Sequence, residues 1–101
     1  MAASKILHEK IDLEHRDGQR TAIFEIIVWR IPRSKDYPEG LKYRAWLSED
    51  GETIFGFDNH KPKGPHLHIG DTEIGYLFRS YNELIKDIHV MIEKEGFKYE
   101  D

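Results

Sequence analysis

Apolar and polar positions alternate along the chain as far as Asp58, with the two-residue period of half-buried strands rather than the 3.6-residue period of helices. Ile6, Leu7, Ile11 and Leu13 alternate imperfectly with His8, Glu9, Lys10, Asp12 and Glu14, which predicts a first strand with one buried face. His15-Arg16-Asp17-Gly18-Gln19 follows, and Asp-Gly between two apolar runs is a hairpin signal, because primed turns need positive φ. The next strand, from about Arg20 to Ile31, should therefore pair antiparallel with the first. Its core, Thr21-Ala22-Ile23-Phe24-Glu25-Ile26-Ile27-Val28-Trp29, is rich enough in β-branched and aromatic residues to predict a central position.

Pro32 ends that strand, since it has no donor for a ladder, and Arg33 to Gly40 forms a polar connection. In the third strand Leu41, Tyr43, Ala45 and Leu47 alternate with Lys42, Arg44 and Trp46, so the basic side chains share a face with a tryptophan. That face suits stacking and phosphate contact, or else Trp46 lies under a helix while the Lys and Arg stems pass beside it. A second Asp-Gly turn in Ser48-Glu49-Asp50-Gly51-Glu52 leads into Thr53 to Asp58, a fourth strand, where Gly56 marks a bulge or a close approach.

Beyond Asp58 the alternation stops. Phe57-Asp58-Asn59-His60-Lys61-Pro62-Lys63-Gly64-Pro65-His66-Leu67-His68 reads as a loop, and Ile69 to Tyr76 as one more brief strand or an irregular crossing. Ser80-Tyr81-Asn82-Glu83 is a capping box and opens a helix. Tyr81, Leu84, Ile85, Ile88, Met91 and Ile92 form its apolar stripe, and Gly96 suits the left-handed position past its end. The predicted fold is α+β in class, a single domain over residues 1–101. It consists of an antiparallel meander of about four to five strands with a C-terminal helix packed on one face.

Composition narrows the chemistry. With 101 residues, 39% hydrophobic and 12% aromatic, the chain is of a size and content to fold despite 34% charged residues. It has no cysteine, so disulfides and thiolate metal sites are excluded. No apolar run suits a signal peptide or a membrane span, which predicts a cytoplasmic protein with no membrane partner. The net charge of −4 speaks against a general nucleic-acid binder. However, Arg30, Arg33, Lys35, Lys42 and Arg44 stand against only Asp36 and Glu39, so one basic face remains open to the fold.

The loop ending in His66-Leu67-His68 concentrates the reactive groups. On extended backbone His66 and His68 point to the same side. With Asp58 they could make an open metal site, or they could act as acid and base on a phosphodiester. In the second case Lys63 or Lys61 would stabilise the developing phosphorane charge, and Asp58 would orient an imidazole. Proximity to Lys42 and Arg44 favours an anion as the ligand over a metal, so neither metal nor cofactor is expected. Asn59 fixes the turn or contacts the ligand. His8, His15 and His89 have no clustered partners and are given ordinary roles.

Val28-Trp29-Arg30-Ile31-Pro32, Lys42-Tyr43-Arg44, Phe57-Asp58-Asn59, Lys63-Gly64-Pro65-His66-Leu67-His68 and Phe78 with the helix after it together resemble the TumE family. The likeness runs from about Ile23 to Ile92 and departs at Pro62 and in the loop around Pro38. The resemblance implies a toxin of a prokaryotic toxin-antitoxin pair, whose partner is a helix-turn-helix antitoxin encoded next door. By analogy with small toxins that cut RNA, it suggests a metal-independent ribonuclease. On that reading His66, His68, Lys63 and Asp58 are catalytic, and Arg30, Lys42, Arg44, Lys61 and Asn59 bind substrate. A homo-oligomer is allowed. The rival reading is a non-catalytic binding or regulatory module that works through its partner.

Overall fold

The computed structural model describes residues 3–99. Six strands run in chain order across one antiparallel sheet: β1 (Ser4–Glu14), β2 (Thr21–Arg30), β3 (Leu41–Glu49), β4 (Glu52–Asp58), β5 (His66–Ile69) and β6 (Thr72–Gly75). Helix α1 (Tyr81–Lys94) follows. The meander and the C-terminal helix match the sequence pattern, but the expected four to five strands become six. The reason is local. β5 and β6 have four residues each, too few to register as alternation, and they pair from His66↔Gly75 to Ile69↔Thr72. His66 and His68 thus stand on a strand that pairs with β4, not in a free loop.

The imperfect alternation of β1 has a structural cause. The register with β2 shifts between Lys5 and Leu7, which takes Ile6 out of phase, and Leu7 and Leu13 then face Val28 and Ala22. Between β3 and β4, Asp50 (φ 51°) and Gly51 (φ 81°) both adopt positive φ, as a two-residue primed turn requires. The bulge beside it sits between Leu47 and Ser48, leaving Ile54 as the extra residue, so Gly56 is not a bulge.

One face of the sheet supplies the core. Phe24, Ile26, Val28, Tyr43, Ala45, Leu47, Phe55, Phe57 and Leu67 join Leu84, Ile88 and Ile92 of α1 in one buried cluster. The helix starts where its donors find an acceptor, since the Glu83 amide donates to Ser80 Oγ at 3.1 Å. Past its end Phe97 is fully buried and bridges to His15, and the Lys98 amide donates to Glu14, so the segment as far as Tyr99 docks on the first hairpin. The tail residues 100–101 lie outside the described residues. Because α1 covers the face of Tyr43 and Leu47, Trp46 lies on the opposite face, clear of the helix.

Candidate active site on the open face of the sheet

The strand register lays the open face out in rows. Trp29 stands opposite Lys42, and the next row runs Ile27, Arg44, Asp58, His66, Gly75. The row after that runs Glu25, Trp46, Gly56, His68, Glu73. Two-residue periodicity together with this strand order collects both tryptophans, two cations, the carboxylate and both imidazoles on one surface.

Asp58 is the hub. One carboxylate oxygen lies 3.0 Å from His66 Nε2 and the other 3.6 Å from His68 Nε2, and the Asp58 side chain also accepts the His60 amide at 3.0 Å. His66 is buried, and its Nδ1 donates to the Gly64 carbonyl at 2.7 Å, which fixes the ring and turns Nε2 toward Asp58. His68 meets it edge to face, with ring centroids 4.8 Å apart, and keeps 39% of its side chain exposed. Both imidazoles line the pocket, and His68 is the more exposed of the two. The three ligand atoms lie within 4.8 Å of one another, so Asp58, His66 and His68 could also hold a divalent cation.

A pocket of about 510 Å³ opens over this cluster, and Trp29, Lys42, Arg44, Lys61, Lys63 and Glu73 are among its walls. Lys63 donates to both oxygens of Glu73 at 2.7 Å, and that bond holds the Glu73 carboxyl below its ordinary range. Lys42 Nζ stands 6.0 Å from the Trp29 ring and the Arg44 guanidinium 4.4 Å from the Trp46 ring, both within cation–π reach.

Two predicted substrate-binding residues lie elsewhere. Arg30 pairs with Leu41 on the helix side of the sheet and lines a different pocket with Ile6, Arg33 and Tyr81. Asn59 is only 2% exposed. Its Oδ1 accepts from the Tyr43 amide at 3.0 Å and its Nδ2 donates to the Leu41 carbonyl at 2.8 Å, so it pins the start of β3. Glu73 went unnoticed in the sequence, because its strand is too short to show a period. Gly56 leaves a gap in the row between Trp46 and His68.

The match to a protein-family model decides the affiliation: the model for toxin TumE covers residues 2–95. The chain belongs to the TumE toxin family. A toxin of this kind implies an antitoxin as its partner. No curated protein and no solved structure matches the chain. Among the described residues of this TumE-family chain, no helix is long and apolar enough to cross a membrane.

Proposed function

We propose that this toxin cuts RNA in the pocket over Asp58, His66 and His68, and that a helix-turn-helix antitoxin restrains it in the cytoplasm. The observation that carries the reading is the meeting of two imidazoles on one carboxylate, at the foot of a pocket walled by Lys42, Arg44 and Lys61. Two imidazoles and nearby cations suit attack of a ribose 2′-hydroxyl on its own phosphodiester. His68 takes the hydroxyl proton, the oxygen forms a bond to phosphorus, and the bond to the 5′-oxygen breaks. His66, doubly protonated with Nδ1–H on the Gly64 carbonyl and Nε2–H on Asp58, gives its Nε2 proton to the 5′-oxygen as that bond breaks and is left neutral. Lys42 and Arg44 offset the charge of the phosphorane, a contribution that is often the largest in such sites.

The test is labelled RNA incubated with purified protein in EDTA, alongside His68→Ala, His66→Ala and an RNA with deoxyribose at the cut position. The expected outcome is cleavage by the wild type, a loss of about 100-fold or more in each histidine variant, and none of the deoxy substrate. Equal cleavage by wild type and variants would sink the assignment. Growth arrest without any cleavage would favour the non-catalytic module instead.

A further inference from the structure

We infer that the notch above Gly56, between Trp46 and His68, seats an unpaired nucleobase, so that the substrate of the site is single-stranded RNA. The inference rests on the ribonuclease reading for its choice of nucleic acid. The notch is built into the register. Trp46, Gly56 and His68 are consecutive cross-strand neighbours on β3, β4 and β5, so the backbone positions that carry the two rings stand two strand spacings apart and the residue between them has no side chain. Two spacings amount to roughly 9.5 Å, and a flat base stacked between two rings takes up about 7 Å of that. Any other residue in place of Gly56 would put a side chain into the gap.

The surroundings fit the same ligand. A second cavity of about 320 Å³ lies there, with Arg44, Trp46, Gly56, Asp58, His68 and Gly70 among its walls, and Arg44, Asp58 and His68 line the larger pocket as well. The two cavities meet at the proposed reacting groups. Gly56 is buried at the floor, and a Cβ built on it would meet only the Ala45 carbonyl at 3.6 Å and Trp46 Cβ at 3.7 Å, so the indole does not press down into the space. The Arg44 guanidinium lies over one face of the Trp46 ring, 4.4 Å from its centroid, and lines the same cavity, so a cation is within reach of the backbone of a nucleotide seated on the other face. A base stacked between Trp46 and His68 therefore brings its own backbone to Asp58 and Arg44. Base-paired RNA keeps its bases inside the helix and offers nothing to stack, so a duplex is excluded from the notch.

The probe is a 2′-O-methyl oligoribonucleotide, which binds without being cut, read by quenching of tryptophan fluorescence and by anisotropy of a labelled strand. Gly56 has no left-handed φ, and a Cβ on it would stand at ordinary contact distance from its nearest neighbours, so Gly56→Ala should unfold at wild-type temperature or slightly above it, and the melting curve of Gly56→Thr verifies that the larger side chain leaves the fold in place. Binding should nevertheless fall by about tenfold in Gly56→Thr and in Trp46→Leu, and recover in part in Trp46→Phe, given the usual contribution of one base stacked on an aromatic ring. Duplex RNA of the same sequence should bind at least tenfold more weakly. Binding by folded Gly56→Thr equal to wild type, or duplex bound as tightly as single strand, would overturn the inference. Because no bond is cut in this assay, tight single-strand binding that depends on Gly56 would stand even if the cleavage test failed. Cleavage without that dependence would refute the notch alone.

Discussion

Asn59 offers the sharpest separation between a structural and a ligand-binding role, since it sits in the sequence beside Asp58 yet faces the backbone of β3. Its amide group spans the Tyr43 N–H and the Leu41 C=O. Replacement by alanine leaves one buried donor and one half-buried acceptor without these partners. Each unsatisfied group costs about 1–3 kcal/mol, so the loss should be about 2–4 kcal/mol once local relaxation or an entering water recovers part of it. In a domain of this size that corresponds to a fall in Tm of on the order of 10–20 °C. Asn59→Asp should cost a similar amount, because it keeps the acceptor for Tyr43 but sets a carboxylate oxygen against the Leu41 carbonyl. Thermal unfolding followed by circular dichroism measures both. The reasoning fails if Asn59→Ala melts within about 2 °C of wild type while its RNA binding collapses, for Asn59 would then be a ligand contact after all.

Other consequences follow from the same geometry. Gly96 holds φ 92° and packs so closely on the His15 ring that an added Cβ would overlap it, so Gly96→Ala should cost about 2 kcal/mol or more in urea unfolding. His15→Ala should recover the steric part of that loss. Tyr43 is buried, its hydroxyl has no hydrogen-bond partner among the described residues, and burial pushes its ionisation far above the ordinary range. Tyr43→Phe should therefore be neutral or stabilising by up to about 1 kcal/mol, and a clear loss of stability would reveal an unseen partner. Glu49 accepts from Arg20 Nε at 2.9 Å and Nη2 at 2.6 Å, and these bonds hold its carboxyl below the ordinary value of 4.5. A depressed folded value means stability present above the unfolded value and lost as pH falls through the folded one. Denaturation scans below pH 4.5 should thus show a shallower decline for Glu49→Gln than for wild type.

How far the sequence could be read depended on the length over which a period repeats. β3 and α1 are long enough for period two or period 3.6 to stand out, and their buried positions are the ones that period selects, whereas β2 was legible from its run of β-branched and aromatic residues, of which alternate positions are buried. The tight turn at Asp50-Gly51 was legible for a chemical reason, positive φ. β5 and β6 were not, because four residues carry two alternations at most, and their pairing depends on a β4 partner that sequence does not name. The same limit governed the site. His-x-His on extended backbone announced one shared side, and Lys42 with Arg44 announced another, but only the strand order makes these the same surface. Arg30 illustrates the converse: adjacent in sequence to Trp29, it falls on the opposite face, since a step of one residue in a strand reverses the side.

The two faces of this sheet divide the labour between folding and function. On the helix side the buried apolar side chains of β2 to β5 join Leu84, Ile88 and Ile92 of α1 and Phe97 in one cluster, with Arg30 at its margin. On the open side the same strands alternate into tryptophan, lysine, arginine, aspartate and histidine, and a second layer there would have to desolvate Asp58, Arg44 and His68 together. Among the described residues no second layer covers this face, in keeping with that cost. An antitoxin that brought carboxylates to Lys42, Arg44 and Lys61 could occupy it at lower cost, and it would then block the pocket by the same contacts that the proposed RNA substrate would use. On this account inhibition and substrate binding compete. Charge-removing variants at Arg44 and Lys61 should weaken both in parallel, and RNA affinity that falls while antitoxin affinity holds would place the antitoxin on another surface.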